Sequence, residues 1–265
     1  MNWSRTAICI LDESGESKLS LLAGEKIEAA STIKLAIARK AFDDALSQGI
    51  KPNSVNLSIL DKHLSLGSGI LNWQKKRKLS LEKLIAYMLK YSDCVATNVL
   101  VEYVGGKDVL NEWLSGKGYL NTRLLVDRLY PIEAPTQDRI SITTASELAL
   151  IARDVLSDKN TNKSYSLITK YLRRNKTSWL YEHKEQNKDL SLTFKTGSII
   201  YKKAGQLNYI NAVGSAGLNG NKVFFSMLSE YVFDENFTNQ DQADHKDKLA
   251  NRLIREIRNY IDVIK

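Results

Sequence analysis

The spacing of apolar residues changes between strand-like and helical only three times along these 265 residues, and that order restricts the fold more than any other feature. Thr6 to Asp12 and Lys18 to Ala23 are short apolar runs separated by Glu13-Ser14-Gly15-Glu16, which reads as a hairpin. Helical spacing then takes over at Leu35, Ala36, Ala38, Ala41, Phe42 and Ala45. Further helices are expected over Ser80 to Lys90, Cys94 to Val104, Lys107 to Ser115, Ala145 to Leu156, Ser164 to Arg173 and Thr177 to Glu185, with Thr144-Ala145-Ser146-Glu147 as a capping box. After about residue 187 the period returns to two. Leu190 to Thr196, Leu207 to Leu218 and Lys222 to Phe233 read as strands, the last two joined by Asn219-Gly220, a strong hairpin signal. Leu249, Leu253, Ile254, Ile257, Tyr260 and Ile261 form the apolar stripe of a closing helix. Strands at both ends and helices between them imply an α/β (α+β) fold. Its antiparallel sheet lobe is expected over 1–30 and 187–265, and its all-helical lobe over 31–186.

Composition narrows the chemistry. The chain is 43% apolar, enough for a sizeable core, and no apolar run approaches the ~18 residues of a membrane span. The opening Met1-Asn2-Trp3-Ser4-Arg5-Thr6 has no charged leader followed by an apolar stretch, so a cytoplasmic, soluble protein is expected unless a leader has been removed. Cys9 and Cys94 are the only cysteines, and a reduced state fits that compartment. The net charge of +8 is spread along the chain apart from Lys75-Lys76-Arg77-Lys78. That run reads as a solvated loop before a helix, since no nucleic-acid-binding motif accompanies it, and neither a nucleic-acid nor a membrane partner is expected. His63, His183 and His245 have no metal-ligand spacing with one another or with the cysteines, which disfavours a zinc hydrolase and a Ser-His-Asp triad; no cofactor is expected.

Three short strings carry the chemistry: Ser31-Thr32-Ile33-Lys34, Ser92-Asp93-Cys94 and Lys195-Thr196-Gly197-Ser198. They supply a nucleophile beside an amine base, a second hydroxyl, and a cationic strand with a glycine, the equipment for forming an acyl-enzyme. A second S-x-x-K, Ser80-Leu81-Glu82-Lys83, stands only 12 residues before Ser92 and reads as a helix N-cap. Ser31 falls at the start of a helix, with Lys34 one turn later.

In order and separation these strings resemble the S-x-x-K, S-D-N and K-[ST]-G elements of the class A β-lactamases, within the penicillin-recognising serine enzymes. Gly67-Ser68-Gly69-Ile70-Leu71 and Tyr91 to Leu100 extend the similarity. The resemblance implies an antiparallel α/β lobe, a helical lobe and an active site in the cleft between them. It implies Ser31 as nucleophile, and Lys34 as the base, acting in a neutral form that burial and the nearby Lys195 cation favour. It also implies Ser92 as proton relay to the leaving group. Lys195, Thr196 and Ser198 would hold a substrate carboxylate, Gly197 would leave room for substrate, and the backbone N–H groups of Ser31 and Ser198 would receive the oxyanion.

Two positions depart from the family pattern. Cys94 stands where the family usually has Asn, and a thiol is a poor substitute for an amide that both donates and accepts, so recognition of a substrate amide there changes. Asp127-Arg128-Leu129-Tyr130-Pro131 resembles the family's D-R-W-E-P, so Tyr130 occupies the place of the Glu that positions the deacylating water. A phenol is a poor base at neutral pH. Glu133 is the alternative carboxylate, on a segment from Arg128 to Asp138 that is short for this loop. The leading expectation is therefore a β-lactamase-like serine hydrolase that acylates at Ser31 and releases a β-lactam slowly. A penicillin-binding peptidase or an esterase shares the acylation step, and a non-catalytic β-lactam sensor and a cytoplasmic biosynthetic acyl transferase remain as alternatives. The expected partner is a small carboxylate-bearing substrate such as a β-lactam or a D-Ala-type peptide.

Overall fold

A computed structural model describes residues 3–75, 77–134, 137, 139–157, 163–175, 178–201, 205–233 and 237–261. In chain order the elements are β1 (Trp3–Asp12), β2 (Ser17–Leu21), α1 (Lys34–Ser47), β3 (Asn56–Ser58), β4 (Lys78–Ser80), α2 (Leu81–Lys90), α3 (Cys94–Tyr103), α4 (Gly106–Gly116), β5 (Arg123–Leu124), β6 (Ser141–Ile142), α5 (Ala145–Leu156), α6 (Lys163–Arg173), α7 (Tyr181–Gln186), β7 (Thr193–Ile199), β8 (Leu207–Leu218), β9 (Asn221–Val232) and α8 (Asn239–Ile261). Contacts divide the chain into two compact units. Met1–Thr32, Thr143–Lys159 and Ser178–Lys265 form one; Ile33–Ile142 and Asn160–Thr177 form the other.

The first unit is built on a five-stranded sheet in the order β2-β1-β9-β8-β7, antiparallel at every pairing, so both ends of the chain contribute strands. The β8–β9 register closes at Leu218 opposite Asn221, and Asn219 and Gly220 turn the chain with φ of 51° and 85°. Two consecutive positive φ values are what a tight hairpin matching the sheet twist requires, which is why Asn-Gly is found there. Alternation along β9 sorts its side chains into two layers. Phe225 and Met227 pack with Ile8, Ile10, Phe194 and Ile210 under the α8 stripe of Leu249, Leu253, Ile254, Ile257 and Ile261. Each such buried Leu or Ile contributes about 1.5–3 kcal/mol relative to exposure. Ser226 points the other way and donates to the carbonyl of Ala145 at the start of α5, which packs against β9, β1 and β8.

That second layer corrects the expected boundaries. Residues 31–186 do not form one helical lobe, because α5 and α7 belong with the sheet: Leu148, Ala149, Ile151, Ala152 and Val155 of α5 are buried, and Leu180 before α7 joins the core under α8. Helical periodicity shows that a helix has an apolar face but not what covers it. Of the last three strands, β8 has the expected bounds and β9 starts one residue earlier than expected, but β7 begins later. Leu190 and Leu192 are core residues on a turn, with Leu190 N bonded to Asn187 O at 3.0 Å, so the β7 ladder starts at Thr193 and runs through Ile199. Thr177, where a helix was expected to begin, lies outside the described residues, and the helix there is Tyr181–Gln186.

The second unit holds α1, α2, α3, α4 and α6 with the small β3–β4 and β5–β6 ladders. Leu81, Leu84, Ile85, Met88 and Leu89 give α2 a buried stripe, and Ser80 caps it by accepting from Lys83 N at 3.3 Å. The second S-x-x-K is thus a capped helix start.

Candidate functional site

In the first unit, the lysine of the third string lies on the edge strand β7. Phe194 belongs to the core under α8, so Lys195 and Gly197 stand on the opposite face of the sheet. Lys195 is buried and its Nζ donates to Thr196 O. Thr196 Oγ1 lies 2.9 Å from Ser178 Oγ, whereas Ser198 is exposed. Gly197 is opposite Asn211 of β8, and this cross-strand pair positions the segment carrying Ser31. Asn211 Nδ2 donates to Glu28 O at 2.7 Å and Ala29 O at 3.1 Å, while its Oδ1 accepts from Ser229 N at 3.1 Å. Glu28 in turn accepts Ala30 N at 2.9 Å, and Ala30 takes a left-handed φ of 49°. Ser31 follows in the 3-10 turn Ala30–Ile33, which runs directly into α1. A Cβ on Gly197 would come within 2.6 Å of Ser31 N, so the absent side chain is what lets the two backbones approach.

In the second unit, Lys34 opens α1 and is wholly buried. Its Nζ donates to Ser92 O at 2.6 Å and lies 3.2 Å from Ser92 Oγ and 3.6 Å from Cys94 Sγ. Ser92 has a left-handed φ of 54°, a conformation costing a non-glycine residue about 1–3 kcal/mol and kept only where surroundings impose it. Here Asp93 imposes it. Its Oδ1 caps α3 by accepting Ala96 N at 2.9 Å, and its Oδ2 accepts Ile70 N at 2.7 Å and Leu71 N at 2.9 Å. Ser68 adds a hydroxyl bond to Ser92 O at 2.8 Å and a backbone bond from Cys94 N to Ser68 O at 2.8 Å. Cys94 is buried with its sulfur facing Lys34, in reach of the amine rather than presented to solvent.

Tyr130 belongs to this second group. A Cβ on Gly67 would lie 2.6 Å from Cys94 Sγ and 2.9 Å from Tyr130 Cδ2, so both side chains crowd the same glycine. The loop carrying Tyr130 is firmly held: Asn98 accepts Leu129 N at 2.7 Å and donates to His63 O at 3.1 Å, Ser65 donates to Leu129 O at 2.8 Å, and Gln137 accepts Tyr130 N at 2.9 Å. Tyr130 has a φ of 47°, and its carbonyl accepts Leu66 N at 2.9 Å. Glu133 is exposed and ion-paired with Arg128. Its own backbone N–H and that guanidinium hold its carboxyl below the usual carboxylate range, so it is a weak proton acceptor. Pro135, Thr136 and Asp138 of the same segment lie outside the described residues.

The structure therefore assembles Lys34, Ser92, Cys94 and Tyr130 in one unit and Ser31, Lys195, Thr196, Gly197 and Ser198 in the other. Sequence reasoning missed the residues that hold these groups: Asn211, Glu28 and Ser178 in the first unit, Ser68 and Asn98 in the second. Ser68 and Asn98 stand within the two segments whose similarity was visible, Gly67 to Leu71 and Tyr91 to Leu100, whereas Asn211, Glu28 and Ser178 stand in no recognisable local pattern.

A family model described as the beta-lactamase enzyme family matches residues 4–261. The chain belongs to that family. As a beta-lactamase-family member it is a serine hydrolase, and its fold agrees. The beta-lactamase from Sphaerobacter thermophilus DSM 20745 is 20% identical with a TM-score of 0.73, the match covering 94% of this chain and 90% of that one. A class A beta-lactamase from Bacteroides cellulosilyticus DSM 14838 is 15% identical with a TM-score of 0.78, over 96% and 92% of the two chains. A variant of PBP-A, described as an acyl-enzyme complex with penicillin-G, is 20% identical with a TM-score of 0.74, over 95% and 91%. At these identities the structures establish the shared fold.

Proposed function

We propose that this beta-lactamase-family protein forms an acyl-enzyme on Ser31 from a carboxylate-bearing substrate such as a β-lactam or a D-Ala-type peptide, and clears a β-lactam adduct slowly. Ser31 Oγ bonds to the substrate carbonyl carbon and its proton passes to Lys34 Nζ. The carbon–nitrogen or carbon–oxygen bond then breaks, and the leaving atom takes a proton through Ser92 Oγ. The observation that carries this reading is the wholly buried Lys34 amine held 3.2 Å from Ser92 Oγ, since a proton relay needs that pair within hydrogen-bond reach. Lys195 is the cationic anchor for the substrate carboxylate, with Thr196 and Ser198 beside it, and the backbone N–H groups of Ser31 and Ser198 receive the oxyanion. Acylation of the PBP-A variant by penicillin-G supports a β-lactam as the probe.

Slow clearance rests on the loop. Tyr130 replaces the water-activating carboxylate, and Glu133 is already committed to Arg128. General-base assistance is commonly worth 10²–10⁴-fold, or about 3–5 kcal/mol of barrier. Intact-mass measurement over time after exposure to penicillin G tests both halves. A mass adduct that forms, persists, maps to Ser31 and is absent from Ser31→Ala is expected. Labelling at Ser80 or Cys94 overturns the assignment of the nucleophile, and rapid multiple turnover overturns slow clearance.

A further inference from the structure

The β3–β4 ladder closes a loop. Ser58 pairs with Lys78, and Ile59 N donates to Arg77 O at 2.8 Å, so the chain leaves and re-enters the ladder at one place. Inside the loop, Asp93 grips Ile70 and Leu71 through their N–H groups, and Asn72 bonds the Ser65 backbone. What the loop leaves outside is apolar and basic. Trp73 is 87% exposed, Leu66 63% and Ile70 36%, and Lys75, Arg77 and Lys78 follow, all exposed. Asp61 is the only acidic residue from 59 to 77, and it stands 3.8 Å from Arg77. In the sequence the lysine-rich run reads as a solvated loop, but three large apolar side chains left in water beside it are not accounted for by solvation.

We propose that this loop docks the protein onto an anionic lipid surface, with Trp73, Leu66 and Ile70 entering the headgroup boundary and Lys75, Arg77 and Lys78 meeting the lipid charges. Trp is favoured at that boundary because its ring is amphipathic. Shallow apolar insertion and attraction of basic side chains to anionic headgroups reinforce each other, as peripheral attachment by two weak signals requires. No helix among the described residues is long and apolar enough to cross a bilayer. Leu66 and Ile70 are the side chains that favour lipid over a nucleic-acid strand, which would use aromatic platforms for stacking.

Sedimentation with vesicles tests the surface, comparing phosphatidylcholine alone with phosphatidylcholine containing phosphatidylglycerol. Binding is expected only to the anionic vesicles and should weaken as salt rises. The combined Lys75→Gln, Arg77→Gln, Lys78→Gln variant should lose on the order of 100-fold in partitioning, and Trp73→Ala roughly tenfold, with unchanged thermal melting showing that both remain folded. Absence of binding to anionic vesicles at low salt overturns the proposal. So does binding that Trp73→Ala leaves intact and a single-stranded oligonucleotide abolishes, which would assign the basic run to polyanions instead.

Discussion

Replacing Gly197 by Ala tests whether the sheet sets the position of Ser31. The added methyl would lie 2.6 Å from Ser31 N, 3.0 Å from Thr32 N and 3.1 Å from Ala30 Cβ. Gly197 has no positive φ, so the penalty is steric. Ordinary contacts begin at about 3.5 Å, and most of an ångström must therefore be recovered by moving either β7 or the turn that carries Ser31. Asn211 ties Glu28 and Ala29 to β8 while β7 pairs with the same strand, so neither side moves without straining hydrogen bonds. Overpacking of this kind costs about 1–3 kcal/mol, and at this chain length melting falls by roughly 2–4 °C for each kcal/mol. A reacting group displaced by about 1 Å loses on the order of 10²-fold in rate. The expected outcome is a modest fall in melting temperature and a much larger fall in the rate of adduct formation with penicillin G, followed by intact mass. Gly217→Ala is the control in the same sheet, because its added methyl would meet Ser191 Cβ at 3.6 Å, an ordinary contact, and should change neither quantity. Acylation of Gly197→Ala at the unmodified rate would refute the reasoning, since Ser31 would then be positioned without this close approach.

Lys34→Arg should abolish acylation, because a guanidinium does not accept a proton, whereas Lys195→Arg should retain part of it, because positive charge is what the anchor supplies; equal and complete loss in both variants counts against separate roles. Tyr130→Glu should shorten the lifetime of the penicillin adduct by up to about 10²–10⁴-fold, while Glu133→Gln should leave it unchanged, and a longer lifetime in Glu133→Gln would show that this carboxylate does act as base. Stability should also depend on His245 of α8, whose imidazole is pushed down to about 4 by burial and then by the Lys248 charge. Native His245 refuses a proton that the unfolded chain binds below its ordinary value of 6.5, so stability is lost as pH falls from about 6.5 to about 4, by up to about 3 kcal/mol. Denaturant unfolding across that window should show the slope in the unmodified protein and a shallower one in His245→Gln.

Local pattern was enough where local physics decides. Asn219-Gly220 gave the β8–β9 turn, Thr144 capped α5 at the expected residue, and Ser80 caps α2 as expected. The pattern failed where the deciding contact is distant in the chain. Whether α5 joins the helices or the sheet depends on Ser226 and its neighbours on β9, 81 residues from Ala145. Asn211 acts on carbonyls 182 and 183 residues away, and Asn98 on a loop 31 residues away; an isolated asparagine in a strand or helix carries no local sign of such partners. The start of β7 was misplaced for a related reason, since Leu190 and Leu192 are as apolar as strand residues but bury on a turn.

The two departures from the family pattern turn out to be one packing problem. Cys94 and Tyr130 are 36 positions apart and were read as separate changes, one affecting substrate recognition and the other deacylation. Gly67 brings them together: any side chain there would collide with both the Cys94 sulfur and the Tyr130 ring. The sulfur also faces Lys34 Nζ at 3.6 Å, so the thiol that shares Gly67 with the Tyr130 ring borders the proposed base. Residues packed this closely do not change independently, and substitutions among them are expected to be non-additive by about 0.5–3 kcal/mol. Restoring a family residue at position 94 or 130 alone is therefore expected to perturb the packing of the other around Gly67.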